Sequence, residues 1–399
     1  MRILLLMGPS AGGIRAHVQM VGALLRQAGH NVAYLAPAGG SGRALAGAGC
    51  AAGRRPPDEA WALPDGNRPV WRALRRRAKL ADVIHAHGLK AGALAVLAAR
   101  GRCPRHRPRV VVTVHNRPVG GRRVRWTAGL LARLVARADV VLGVSSDTVD
   151  WLRARGASGA QRALVPAPRL APARQDPAQT RAALGLPAGP PADGPALLLT
   201  VARLAPQKGL DLLLRAGGRL RDEGRDVVWC VAGEGPLREA LEARIAAGGL
   251  PVRLLGRRSD LPELYQAADL VVSTAHWEGQ PVALQEAQQA GAAIVATDVG
   301  GTRETLGDGA RYVPGGDAAA LADAIGHLLD NPKEVAELKQ LARRQAQERP
   351  TEADLIAQLT TAYGSEVTGD EGSGDGYGGT GDGYRGSGDG YRGSGDGSV

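Results

Sequence analysis

One repeated pattern limits what this chain can fold into. Short runs that are apolar at almost every position, residues 3–7, 31–36, 83–86, 110–114 and 140–144, alternate with longer stretches of helical periodicity such as 14–28 and 88–99. A strand apolar on both faces is hidden on both faces, as when helices cover the two sides of a parallel sheet. The alternation therefore predicts βαβ units in a doubly wound α/β domain. The pattern breaks across 166–195, where VPAPRLAPARQDP and LPAGPPADGP flank a short helical piece at 180–184. Proline removes backbone donors and fixes φ, so this stretch reads as a linker. The rhythm then resumes, with strands at 196–201, 227–232, 252–255, 270–273 and 292–296 and helices at 208–221, 237–246 and 282–290. Two α/β halves joined by a hinge predict a cleft between them, with ligands at the carboxyl ends of the strands.

The 399 residues suffice for two cores. The expected division is an N-terminal domain over 1–170, a linker over 171–195, a second domain over 196–350, a crossover helix over 351–364 and a tail over 365–399. The tail repeats with period seven (YGGTGDG, YRGSGDG, YRGSGDG) and has too few apolar residues to bury a core, so a disordered Gly-rich segment is expected. A calcium-binding β-roll has a different period and needs apolar positions. With 6 Trp, 7 Tyr and 0 Phe, the cores must be filled by Leu, Val and Ala. No apolar run is long enough for a transmembrane helix, and the first strand is too short for a secretory signal. Three distant cysteines, Cys50, Cys103 and Cys230, indicate neither a disulfide framework nor a zinc site. The expected compartment is the cytosol.

The net charge of +11 hides an asymmetry. Residues 1–175 hold 29 Lys+Arg against 7 Asp+Glu, a balance of +22, whereas 176–399 hold 21 against 32, a balance of −11. The basic excess is either a solvated Arg-rich surface or a match to an anionic partner. No nucleic-acid-binding module accompanies it, so no nucleic-acid partner is expected. The segment 122–137, RRVRWTAGLLARLVAR, combines a basic face with Trp126, Leu130, Leu131, Leu134 and Val135. It reads either as an ordinary domain helix or as an amphipathic helix for an anionic membrane surface.

Several loops carry chemistry. Residues 8–13, GPSAGG, follow the first strand, and their small side chains let backbone N–H groups approach an anion or sugar, although a plain strand-to-helix turn looks the same. His85 and His87 end one strand and His115 another. Histidines two apart on a strand can resemble metal ligands, yet no carboxylate or cysteine lies at suitable spacing, and no metal is expected. Arg203 and Lys208, five residues apart, suit a diphosphate, with Lys208 expected at a helix start. Glu278 and Glu286, eight apart, flank Pro281, where another helix begins. Carboxylates so placed can hydrogen-bond sugar hydroxyls while the first-turn N–H groups face a phosphate.

Taken together, GGIRAH, DVIHAHG, VTVHN, ARLAPQKG, VAGEGP, ADLVVST, EGQPVALQEA and ATDVGGTRE resemble the family 4 glycosyltransferases over residues 1–363. The resemblance implies a GT-B fold, two Rossmann-like doubly wound domains facing across a cleft. It implies a retaining hexosyl transfer from a nucleotide-diphosphate sugar to an acceptor hydroxyl, with no cofactor. The absence of any Asp-x-Asp pair fits metal independence. It further implies that Arg203 and Lys208 hold the diphosphate, Glu278 the sugar hydroxyls and Glu286 the ribose. Gly12 and Gly13 would form the loop near the phosphates, His115 would contact the transferred sugar, and Gly279, Gln280, Pro281 and Val282 would complete the donor site. The acceptor, a glycan or lipid-linked cell-envelope precursor, would occupy the first domain, with peripheral attachment at the inner face of the plasma membrane. The sequence departs from the family at Ala202 for a glycine, at 166–168 (Pro-Ala-Pro) for Pro-Asn-Gly, and at EGQP for EGFGLP. An epimerase of the same fold and a non-catalytic sugar-binding protein are the alternatives.

Overall fold

The computed structural model describes residues 1–8, 13–37, 60–63, 67–100, 107–118, 121–188 and 194–364. Gly12 and the repeat tail from 365 on lie outside the described residues.

The first sheet has seven parallel strands: β1 (Arg2–Met7), β2 (Asn31–Pro37), β3 (Ala60–Leu63), β4 (Val83–His87), β5 (Arg109–Val114), β6 (Val140–Gly143) and β7 (Gln161–Arg162). Their spatial order is β3-β2-β1-β4-β5-β6-β7. The second has six parallel strands: β8 (Ala196–Val201), β9 (Val227–Ala232), β10 (Val252–Gly256), β11 (Leu270–Ser273), β12 (Ile294–Thr297) and β13 (Arg311–Val313). Their order is β10-β9-β8-β11-β12-β13. Both orders reverse direction once, between β1 and β4 and between β8 and β11, which are the topological switch points of doubly wound sheets.

The uniformly apolar strands are buried as the sequence requires. Ile3 through Met7 are all 2% exposed or less, and Trp229, the largest buried side chain of the second half, donates from Nε1 to Thr200 Oγ1 at 3.0 Å. Leu and Val on strands and Ala on helix 89–99 fill the first core in the absence of phenylalanine.

The Pro-rich connection is built into the second half. Helix Pro177–Ala183 opens with a capping box between Asp176 and Gln179. Arg181, 3% exposed, pairs with Asp269 and donates to the carbonyls of Pro187 and Pro195. The last helix, Glu352–Tyr363, returns to the first half, where Leu355, Leu359 and Tyr363 join the core formed by Ile3, Leu5 and Val18. Tyr363 OH meets His85 Nδ1 at 2.8 Å, and His85 Nε2 meets Thr113 Oγ1 at 2.8 Å.

Removing the Tyr363 hydroxyl leaves a fully buried imidazole nitrogen without its partner. Tyr363→Phe is expected to lower unfolding free energy by about 1–3 kcal/mol in a denaturant titration. An unchanged midpoint contradicts the pairing.

Candidate active site

Two switch points face one another, and the loops at the carboxyl ends of their strands enclose a cleft of ≈ 1030 Å³. From the first half come Gly13, at the start of helix Gly13–Gln27, and His115, which follows β5. From the second half come Arg203 and Lys208 after β8, the loop 278–282 after β11, and Glu286. Every described residue that the family resemblance assigns to the donor site or to catalysis lines this one cleft, whereas His85 and His87 do not.

Lys208 does not begin a helix, as its sequence context suggests. It ends a 3₁₀ turn, Pro206–Lys208, and helix Leu210–Asp222 starts after Gly209. Gly209 has φ +60°, and a Cβ there would lie 1.9 Å from the Thr274 carbonyl oxygen, so only glycine lets the Lys208 turn sit against the end of β11. Thr274 Oγ1 donates to the Lys208 carbonyl at 2.9 Å, and Gln207 Nε2 donates to the Trp277 carbonyl at 2.9 Å. The turn is thereby sewn to the loop that carries Glu278. Lys208 Nζ forms an ion pair with Glu278 Oε1, a carboxylate whose side chain is 9% exposed. Arg203 is exposed to the cleft and has no carboxylate partner among the described residues.

Helix Val282–Gln289 begins at Pro281 without a side-chain cap; Leu284 N donates to the Pro281 carbonyl at 3.1 Å, and the Val282 and Ala283 N–H groups lie at the helix end that lines the cleft. Glu286, in the middle of this helix, accepts from Tyr265 OH at 3.2 Å, and the same hydroxyl is 2.9 Å from the Ala283 carbonyl. Burial raises the Glu286 carboxyl above its ordinary value, with the Tyr265 hydrogen bond opposing the rise.

Four histidines gather behind the first-half wall. His87 Nδ1 and His115 Nε2 are 3.0 Å apart, and the His17 ring packs edge-on to both. Ligating nitrogens of His17, His87 and His115 all lie within 4.8 Å of one another, a grouping the sequence did not reveal because His17 occupies an ordinary helical position. The His85 and His87 pair noted on β4 splits its partners, with His85 held by Tyr363 and Thr113. Burial lowers His17 to about 4 and, with the charge of His17 adding, His85 to about 3. Burial first, and neighbouring imidazoles second, push His87 and His115 well below 6.5. His115 therefore faces the cleft as a neutral imidazole. Among the residues the sequence did not single out, Tyr265, Gln207 and Thr274 act as partners rather than as motif positions, and only their spatial contacts expose them.

Helix Arg122–Val135 is divided between two environments. Ala128, Ala132 and Val135 are buried, while Trp126 (67% exposed), Val124 and Leu130 face outward among exposed Arg122, Arg123, Arg125 and Arg133. None of the helices in the described residues is long and apolar enough to cross a membrane.

Two doubly wound halves meeting at such a cleft define the GT-B class of sugar-transferring enzymes. Anabaena HepE in complex with UDP-glucose superposes with a TM-score of 0.75 at 20% identity, covering 91% of this chain and 99% of that one. Residues 11–167 match the model described as Glycosyltransferase Family 4, and residues 187–345 match Glycosyl transferases group 1. The GDP-mannose-dependent alpha-(1-6)-phosphatidylinositol monomannoside mannosyltransferase of Mycolicibacterium smegmatis is 31% identical over 264 residues, 61% of this chain and 68% of that protein. The D-inositol 3-phosphate glycosyltransferase of Frankia alni is 39% identical over 172 residues, 39% of this chain and 41% of that protein. The chain belongs to the family 4 glycosyltransferases.

The histidine cluster sets a pH dependence. In the unfolded chain these groups titrate near 6.5, and in the folded chain burial keeps them neutral to far lower pH. Below 6.5 the unfolded state therefore binds more protons, and stability present above 6.5 is lost as pH falls toward 4. Glu286 acts in the opposite direction, as one group against four. The melting temperature is expected to fall between pH 7.5 and 5.5. A flat or rising profile contradicts the cluster's burial.

Proposed function

We propose that the protein transfers a sugar, with retention of configuration, from a nucleotide-diphosphate sugar to the hydroxyl of an anionic glycan or lipid-linked acceptor. The observation that carries this reading is the meeting of Arg203, Lys208 and the uncapped start of helix 282–289 at one cleft with Glu278, Glu286 and His115. Bond cleavage leaves negative charge on the departing diphosphate. Arg203, Lys208 and the first-turn N–H groups are the donors fitted to receive it. Lys208 has three N–H donors and can keep Glu278 while reaching a phosphate oxygen. Glu278, oriented by that lysine, takes the sugar hydroxyls, and Glu286, held by Tyr265, takes the ribose. His115 offers a neutral hydrogen bond to the transferred sugar. The backbone of 278–282 and Gly13 allow close approach of the donor.

Retention by front-face attack is supported by the state of the carboxylates. Glu234, Glu278 and Glu286 line the cleft, and each is engaged, by Arg238, Lys208 and Tyr265 respectively. None stands ready as a nucleophile. Arg203 and Lys208, cations placed to meet phosphate, support metal-independent transfer.

An anionic acceptor is supported by Arg15, which lines the cleft from the first half, and by the basic balance of residues 1–175. The two curated relatives described above act, by name, on a phosphatidylinositol mannoside and on an inositol phosphate. The outward Trp126 and Leu130 among arginines support docking of the first half on an anionic membrane surface from the cytoplasmic side.

With a panel of UDP-, GDP- and ADP-sugars and a lipid acceptor, Lys208→Ala and Glu278→Ala are expected to lower turnover by about 10²–10³ while the fold persists. Near-wild-type turnover in either variant contradicts the assignment, and sugar conversion without acceptor would indicate an epimerase. EDTA is expected to leave activity unchanged. Loss on chelation with recovery on adding Zn²⁺ would give His17, His87 and His115 a metal role. In flotation, the protein is expected to rise with anionic vesicles at low salt and not with neutral ones, and Trp126→Glu to weaken that binding. Equal behaviour on both vesicle types contradicts membrane docking.

A further inference from the structure

The connection between the halves is held by four glutamines in one repeated geometry. Gln358 Oε1 accepts from Leu164 N at 2.9 Å while its Nε2 donates to the Arg162 carbonyl at 2.8 Å. Gln280 accepts from Val165 N at 2.9 Å and donates to the Ala163 carbonyl at 2.5 Å. Gln285 accepts from Ala167 N at 3.0 Å and donates to the Val165 carbonyl at 3.1 Å. Gln289 accepts from Leu170 N at 2.7 Å and donates to the Pro168 carbonyl at 3.2 Å. Each amide bridges the carbonyl of one residue and the N–H two positions later, the pair that a neighbouring parallel strand would take.

The sequence explains why side chains do this work. Pro166 and Pro168 have no N–H, so 162–170 cannot run as a regular central strand, and glutamines take up donors that remain. Gln285 and Gln289 are one turn apart and present their amides along one face of helix 282–289.

Gln280 differs from the other three. Its Nε2 also donates to the Val144 carbonyl at 2.8 Å, at the end of β6. It sits two residues after Glu278 and one before the helix start at Pro281. Its neighbour Gly279 lies so close to the first half that an added Cβ would be 2.5 Å from Val144 Cγ2. The same seam is closed by Glu304, which accepts from Ser146 N at 3.1 Å, and by Trp277 Nε1, 3.4 Å from Asp147 Oδ2. The Gln280 amide is thus committed to the backbone of the first half, and only its main chain remains to meet a donor.

We infer that Gln280 is a positioning residue that fixes the loop bearing Glu278 in register with His115 across the cleft, and that the glutamine ladder makes 162–170 a splint between the halves. The inference rests on the transferase reading above. Arg203 follows β8, Glu286 is held by Tyr265, and Lys208 is held by Thr274 as well as by Glu278, all within the second half, so nucleotide affinity is separable from the latch. The meeting of Glu278 with His115 does depend on it, and small misplacements of reacting groups cost rate steeply. A loosened seam also admits water to the donor.

The test uses Gln280→Met, close in length and without amide groups, and Gln280→Asn, which is too short to reach Val144 and Val165 together. In both, kcat is expected to fall about 10–100-fold, the Kd for the nucleoside diphosphate to stay within about threefold, and the share of donor lost to hydrolysis to rise. Hydrogen exchange at Val165 is expected to accelerate. Gln289→Met, at the rung farthest along the chain from β7, is expected to accelerate exchange at Leu170 and leave kcat unchanged. A kcat that is unchanged in the Gln280 variants overturns the inference, as does nucleotide affinity lost in parallel with kcat, which would make Gln280 a direct donor contact. Exchange is read independently of turnover. Unchanged exchange at Val165 overturns the latch, whereas a wild-type protein that turns over no nucleotide sugar overturns the transferase reading and leaves the exchange result standing.

Discussion

The ion pair between Lys208 and Glu278 is the contact around which the cleft is arranged. It joins the turn after β8 to the loop after β11, the two strands at the switch point of the second sheet. A nearly buried carboxylate is costly unless it is paired. Here the pair is supported by backbone contacts that leave the lysine little freedom, with Thr274 on its carbonyl and Gly209 beneath the next turn. The Glu278 carbonyl in turn accepts from Gly301 N at 2.9 Å, which ties the loop to the segment after β12. One charge pair thereby fixes the relation of three strand ends, and the uncapped helix that follows inherits its direction from the same loop.

Electrostatics differ between the two walls. The second half supplies two cations, Arg203, without a carboxylate partner among the described residues, and Lys208, with one. The first half supplies neutral imidazole at His115, because burial strips the histidines of their protons, together with the Arg15 guanidinium at the cleft. On the proposed reading a phosphate leaving group is drawn to the second half, while the transferred sugar meets the uncharged His115 and an anionic acceptor meets Arg15 on the first. Part of the basic balance of the first half lies on the exposed arginines of helix 122–135, away from the histidines.

The sheets were legible in the sequence because uniform apolarity has few structural meanings, and the strands fall within a residue or two of the runs that announce them. β3 (Ala60–Leu63), β7 (Gln161–Arg162) and β13 (Arg311–Val313) were not legible, being short edge strands with no apolar run to mark them. Arg203 and Glu278 were legible because they follow closely on apolar strands, and Glu286 because the helix it lies on begins at a proline. Lys208 was legible as a cleft residue but not as the end of a 3₁₀ turn, since glycine's left-handed conformation at 209 leaves no periodic trace. The partners were hidden: Tyr265 is 21 positions from Glu286, His17 is 98 from His115, and Gln280 is 115 from Val165. EGQP in place of the family's EGFGLP was visible as a departure, and its meaning came only from the backbone atoms that its amide meets.

In the proposed reading the diphosphate of the donor is held by Arg203, Lys208 and the start of helix 282–289, all in the second half. Calorimetric titration with UDP-, GDP- and ADP-sugars, on the wild type and on Arg203→Ala, tests it most directly. At least one nucleotide sugar is expected to bind, its affinity to weaken with added salt, and Arg203→Ala to lose at least tenfold, about 1.4 kcal/mol. Binding of equal strength in Arg203→Ala, or no binding of any nucleotide sugar by the wild type, would contradict it.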